Sequence, residues 1–312
     1  MSGEKLSNVS VNVFPGGFNW ALYVGEDKGI FARHGIEITL IDTPNSVSQM
    51  TGFANEKFEV AMTAVDNIVA YVEGQGEAPI GPQPEFCAVM GSDNGFLSVV
   101  ARPDIARIED FAGRMLSVDA MTTGYAFVLY DILLRHGLSF KDYELCRRGG
   151  MIQRYESLLA GDVAGTLLSA PYNAIAVDNG LREIIKASAV IGPYQGNVAA
   201  VRRSWARDNP DAVISFIRGY RDSVAWLYEP AHRAEAIAIL LHHLPKMTPA
   251  VAKKSYSILL DPVDGFFRDC RIDEEGMRCV LRLRSSFGVP QMQLSDVGKY
   301  RDLRYFEMAI AR

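Results

Sequence analysis

Val9-Ser-Val11-Asn-Val13-Phe14-Pro15-Gly16-Gly17-Phe18-Asn19-Trp20 sets the reading of everything that follows it. Val9, Val11 and Val13 fall on one side and Ser10 and Asn12 on the other, the period-two pattern of a strand. Pro15-Gly16-Gly17 breaks the strand. Asn19 then stands where a side-chain oxygen can cap a helix running from Trp20 to about Arg33, with Leu22, Tyr23, Ile30 and Phe31 on its apolar face. His34-Gly35 ends that helix, Gly35 taking the left-handed position. Ile36 to Ile41 reads as a second strand. Ser46 is expected to cap a helix to about Asn55, and Val60-Ala-Met-Thr-Ala-Val65 reads as a third strand. Asp66 is expected to cap a third helix ending near Gly74. Short apolar strands alternating with helices mean a parallel sheet with right-handed crossovers.

The same grammar returns further on. Gly74 to Pro84 holds three Gly and three Pro and reads as a loop. Phe86–Met90 and Leu97–Arg102 are strand-like. A second set follows: strands Met115–Val118, Tyr143–Cys146 and Thr166–Ser169, and helices Thr123–His136, Gln153–Leu159 and Pro171–Val177. Asn197–Arg202 is expected to return to the first unit. The remainder reads as helices near 210–229, 231–243, 249–259 and 273–287, with a loop over Asp261–Asp269. The organisation expected is two α/β lobes, the first built from 1–100 and 197–312 and the second from 101–196. Ligands of open parallel sheets sit beyond the carboxyl ends of strands, at helix N-termini. Two such lobes facing each other make a cleft with a hinge.

The 312 residues are 48% hydrophobic and 22% charged, the balance of a folded globular chain. Thirty-two basic against thirty-seven acidic residues give a net charge of −5, so no phosphate-tracking surface and no nucleic-acid partner are expected. Cys87, Cys146, Cys270 and Cys279 form no C-x-x-C pair, and His242-His243 point to different faces of a helix, so no metal site is expected. No apolar run reaches the ~18 residues of a membrane span. Met1-Ser-Gly-Glu-Lys-Leu carries no basic-then-apolar leader. The chain is therefore expected in the cytoplasm if the sequence is complete as written, and in the periplasm if a leader was trimmed. No nucleotide-binding, P-loop or nucleophile-elbow motif occurs, so neither a cofactor nor a catalytic residue is assigned.

Three stretches carry a family resemblance. The run from Asn19-Trp20 through Gly29-Ile-Phe31 to Gly35-Ile-Glu37-Ile resembles the opening of type II periplasmic solute-binding proteins. The nearest branch is the nitrate, sulfonate and taurine type, with its binders of thiamine-pyrimidine precursors. Ile108-Glu-Asp110-Phe-Ala-Gly113-Arg is similar to that family's entry into its second lobe. Ser157-Leu-Leu-Ala-Gly161-Asp-Val-Ala-Gly is similar to the helix that precedes a cleft strand. The resemblance covers about residues 8–230. It implies a bilobal Venus-flytrap fold, two parallel-rich sheets with flanking helices, a small ligand between the lobes, and an ABC transporter permease as partner. Two family features are missing. The cysteine-rich motif of the pyrimidine synthases is absent, Cys87 standing alone, and so is a lipoprotein cysteine.

Candidate ligand contacts follow from the strand ends. Phe14, Phe18, Asn19 and Trp20 offer an aromatic wall and an amide after the first strand, against the plainer reading of a cap with core aromatics. Asp66 and Asn67 follow the third strand. Thr122, Thr123 and Tyr125 follow the first strand of the second lobe, where two hydroxyls and free amides suit an acidic group. Ser169 and Tyr172 repeat that arrangement. Phe96 and Tyr194 lie near the crossovers. The reading favoured is a binder of a small polar, aromatic or heteroaromatic solute. The alternative is a soluble enzyme on the same fold, of decarboxylase, desulfinase or pyrimidine-forming lyase type. In that case Asp66 would move a proton if burial raised its pKa.

Overall fold

The structure is a computed structural model that describes residues 6–262 and 264–311. The first sheet begins with β1 (Ser7–Val13), whose chain turns into α1 (Trp20–Asp27) and α2 (Ile30–Arg33). The single helix expected here is two, because Gly29 adopts a left-handed φ of 60° that a right-handed helix cannot continue through. Then come β2 (Ile36–Asp42), α3 (Ser46–Ala54), β3 (Val60–Ala64), α4 (Val65–Val72) and β4 (Phe86–Gly91). The cap of α3 is Asn45 rather than Ser46: its side chain accepts from Ser48 N at 2.8 Å. Ala64, not Asp66, occupies the cap position of α4. Gly35 does take a left-handed φ, of 83°.

The chain crosses once and builds the second sheet from β5 (Ser98–Ala101), β6 (Met115–Val118), α5 (Gly124–Arg135), β7 (Glu144–Arg147), α6 (Met151–Leu159), β8 (Gly165–Leu168), α7 (Tyr172–Asp178), β9 (Arg182–Lys186) and α8 (Ser188–Ile191). It returns through β10 (Asn197–Arg202) and closes with α9 (Arg203–Asp208), α10 (Pro210–Tyr228), α11 (Arg233–His243), α12 (Pro249–Leu259), α13 (Glu274–Phe287) and α14 (Arg304–Ile310). Strand orders are β2-β1-β3-β10-β4 and β7-β6-β8-β5-β9. The strands read as βα units are parallel, β1 with β2 and β3, and β6 with β7 and β8. The two strands adjoining the crossings, β10 and β5, run antiparallel to their neighbours. Residues 98–100, expected with the first lobe, thus pair in the second sheet. The exposed Arg182 and Glu183 hide β9 from a hydrophobic pattern.

The crossings are stitched together at Asp93. This buried carboxylate accepts from Gly95 N at 2.8 Å, Asn197 Nδ2 at 3.1 Å and Ser92 Oγ at 2.8 Å. Burial raises its pKa and these bonds oppose the rise. Gln195 adds Nε2 bonds to the carbonyls of Asp93 and Asn197. Behind the crossings α13 packs on both α4 and α5. Its Met277, Val280 and Leu281 join one apolar core that also holds Val65 and Ile68 of α4 and Phe127 and Leu129 of α5. So one helix braces both lobes. A separate core under the first sheet gathers α1, α10 and α11.

Candidate functional site

The carboxyl ends of β1 and β3 face those of β6 and β8, and four short segments supply the side chains there. After β1, Pro15 to Gly17 fold the chain back so that Asn19 Nδ2 donates to Phe14 O at 2.5 Å. Asn19 is buried and makes no side-chain cap bond, contrary to expectation; its Oδ1 has no partner among the described residues. Phe14 and Phe18 are half-buried. Trp20 turns the other way. It is fully buried, donates from Nε1 to Ala236 O at 2.9 Å, and stands edge-on to Tyr256, so it belongs to the first-lobe core and not to the cleft.

After β3, Asp66 sits in the first turn of α4 and meets Arg284 of α13. Arg284 Nε and Nη2 donate to the two carboxylate oxygens at 2.7 and 2.6 Å, and both side chains are buried. The same guanidinium donates to Thr122 O at 3.0 Å and lies over the Phe127 ring, 4.9 Å from its centroid. Asp66 is therefore the centre of a buried ion pair that reaches the second lobe through Thr122 O, rather than a free carboxylate. Asn67, on α4, donates to Thr63 Oγ1 at 2.8 Å. It lines a shallow groove of about 20 Å³ with Glu77, Thr122, Thr123 and Arg284.

After β6, Thr123 caps α5, accepting from Ala126 N and donating to Asp119 Oδ1 at 2.6 Å. Thr122 does not lean on the α5 amides: its Oγ1 donates across the cleft to Glu77 Oε1 at 2.9 Å. Gly124 lets α5 approach Asp66 so closely that a Cβ there would come 2.4 Å from Asp66 Cγ. Tyr125 follows, half-buried, and burial pushes its hydroxyl pKa upward. After β8, Ser169 donates to Gly95 O at 2.7 Å on the first crossing, and Tyr172 stacks at a tilt beside Tyr155. Phe96 and Tyr194 lie on the hinge side instead. They line a cavity of about 140 Å³ with Asn94, Ser98, Asn173 and Asp264. That is smaller than the ~300 Å³ at which ligand pockets begin. Tyr194 is buried with its hydroxyl unpartnered among the described residues.

Three residues at this interface escape the strand-end logic: Glu77, Arg284 and Arg154. Arg154, on α6, is buried, and its Nη1 donates to Leu167 O at 2.6 Å, the penultimate residue of β8. Both arginines carry a signal in the sequence. Arg154 shares a helix face with Met151 and Leu158, and Arg284 with Val280 and Leu281. A cation on an apolar stripe is out of place unless something answers its charge.

Cys87, His34 and His243 are engaged elsewhere in the structure. Cys87 is buried in β4, where burial pushes its thiol up to about 12. His243 stacks on Tyr23 and bonds Asp27, and His34 bonds Asp222. Among the described residues no cluster of His, Cys, Asp and Glu suits a metal ion, and no helix is long and apolar enough to cross a membrane.

This architecture has known counterparts. The fold matches a Bordetella bronchiseptica RB50 protein of solved structure with a TM-score of 0.80 at 17% identity, covering 98% of both chains. It matches the periplasmic nitrate-binding protein NrtA of Synechocystis PCC 6803 with a TM-score of 0.78 at 11% identity, over 98% of this chain and 88% of that one. Periplasmic binding proteins of this kind have the bilobal α/β fold expected for the chain. By sequence, the nitrate import ATP-binding protein NrtC of Synechocystis sp. is 22% identical over 235 residues, 70% of this chain. The chain spans about a third of that relative's length, 35%. The NMT1-like family matches residues 3–241, and with three quarters of its length inside that match the chain belongs to the NMT1-like family.

Proposed function

We propose that the chain is the solute-binding component of an ABC-type import system, capturing a small polar ligand between its lobes. The observation that carries this reading is hydrogen-bonding capacity left unspent where the lobes meet. Among the described residues, Asn19 Oδ1 is buried without a donor at the end of β1, and Arg154 Nε is buried without an acceptor beside the end of β8. Orphaned groups of this kind cost about 1–3 kcal/mol each, a cost that a ligand with matching groups removes. Phe14, Phe18, Tyr125 and Tyr172 follow the carboxyl ends of β1, β6 and β8, are half-buried, and on this reading supply apolar area for an aromatic or heteroaromatic body. Closure then shields the ligand and presents a joined surface to a membrane permease, the partner this role requires. It also places the chain on the periplasmic side of the membrane.

The rival reading, an enzyme on the same fold, needs a reactive group in the cleft. Asp66 is engaged twice by Arg284, which removes the first candidate base. Native mass spectrometry with a thermal-shift panel of aromatic acids, sulfonates, pyrimidines and amines separates the two. The binder is supported by a ligand that raises the unfolding midpoint and is recovered with its mass unchanged. Tyr125→Phe, which deletes a hydroxyl that makes no hydrogen bond among the described residues, should then weaken the shift while leaving the ligand-free midpoint in place. A ligand that is consumed, with a product mass growing over time, would overturn the transport reading.

A further inference from the structure

Three arginines are buried among the described residues, and two of them have answered charges. Arg284 is clamped on Asp66, and Arg202 has Glu56 at 4.0 Å and donates to two carbonyls, Phe53 O and Phe58 O. Arg154 is only 3% exposed and has no carboxylate within ion-pair distance among the described residues. One arm is spent on Leu167 O; Nη2 leans on Met151 Sδ at 3.2 Å; Nε has no acceptor. The donors left on the Nε–Nη2 edge are therefore Nε–H and the second Nη2–H of the same planar guanidinium.

We propose that this edge anchors a carboxylate on the ligand, so that the solute captured in the cleft is an organic acid. The inference rests on the solute-binding reading above and narrows it. Position supports it. Leu167 is next to the last residue of β8, Asp119 follows β6 directly, and Tyr125 opens α5. The bond to Leu167 O seats the Arg154 guanidinium beside the carboxyl end of β8, where the charge of Asp119 and the Tyr125 phenol both act on it. Chemistry supports it as well. The two coplanar oxygens of a carboxylate match the guanidinium edge in a bidentate fork. A buried cation left without such a partner costs several kcal/mol. Asp119 does not fill the role, because its Oδ1 is held by Thr123 at 2.6 Å and neither oxygen reaches Arg154 within hydrogen-bond distance. Asn19 Oδ1, an acceptor, is left to read an N–H elsewhere on the ligand.

Formate is the probe, since it carries the carboxylate and nothing else. Unfolding midpoints are measured in sodium formate, methanesulfonate and chloride at matched ionic strength, for the wild type, Arg154→Met and Arg154→Lys. Formate is expected to raise the wild-type midpoint above both other salts. Arg154→Met should lose that increment, and, relieved of an unanswered charge, should unfold no earlier than the wild type in chloride. Arg154→Lys keeps a charge but not the fork, and should keep at most half the increment. An equal effect of formate and methanesulfonate would overturn the proposal, as would an undiminished formate effect in either variant. The lysine variant decides if the methionine variant does not fold. A neutral heteroaromatic that binds and returns unchanged, with no formate effect, would sink the carboxylate anchor and keep the solute-binding role. A consumed ligand with a clear formate effect would do the reverse.

Discussion

Asp66 and Arg284 lie 218 positions apart and end as one buried, bidentate pair. Neither charge is near water: the side chains are 2% and 1% exposed. A pair of this kind contributes little relative to a well-packed apolar pair, but removing one partner strands the other. Arg284→Met should therefore lower the free energy of unfolding by about 3–5 kcal/mol. Asp66→Leu combined with Arg284→Met should recover most of that loss. Urea unfolding of the single and double variants checks both statements. A single variant within about 0.5 kcal/mol of wild type would show the pair to be idle. The sequence places Asp66 correctly at the end of a strand, but a cap and an ion pair look alike there until the partner is known. Pairings over such separations are set by the packing of α13, which no local pattern encodes. Trp20 fails for a related reason. A helix start offers its first residues to either the cleft or the core, and the contact with Ala236 O that settles the matter comes from α11.

Secondary elements were more legible than side-chain directions. The period-two run before Pro15, the buried β3 and the long amphipathic helices of the tail all fall within a few residues of their expected places. Each is fixed by local periodicity and by Gly or Pro at its ends. The exceptions have local causes too. Gly29 splits the first helix, and β9 hides because exposed Arg182 and Glu183 give it little apolar pattern. The N-terminus of α5 shows how one glycine positions an element. With no Cβ at Gly124, α5 seats against the Asp66 side chain, which Arg284 pins in place. Gly124→Ala would force that helix end outward. Overpacking of this sort costs about 1–3 kcal/mol. The expected outcome is a folded variant with a lower midpoint and weaker binding of any ligand identified in the panel. Unchanged affinity would mean that the contact between α5 and Asp66 is not part of closure.

At the scale of the whole molecule, the lobes are held by two kinds of contact with different responses to salt. At the back, α13 sits in an apolar core shared with α4 and α5. At the rims, Glu77 meets Thr122 Oγ1 and Arg147, and Lys254 of α12 pairs with Asp178 of α7. Lys254 is half exposed and Arg147 more so, which limits each rim pair to about 0–1 kcal/mol. Salt screens such pairs, the Debye length falling to ~3 Å at 1 M, while burial in the core is not weakened. The ligand-free chain should therefore open at the rims and pivot on α13 as salt rises. In small-angle scattering the radius of gyration should start near the ~20 Å expected of a compact chain of this length. It should grow by about 1 Å or more in high salt, a displacement of the order of a hinge opening. Glu77→Ala should bring that growth to lower salt, because it removes two rim contacts at once. A bound ligand should suppress it, since closure then rests on contacts inside the cleft that salt does not reach. If the radius stays constant in every condition, α13 and the stitched crossings lock the lobes. Ligand entry would then have to proceed by local opening rather than by lobe motion.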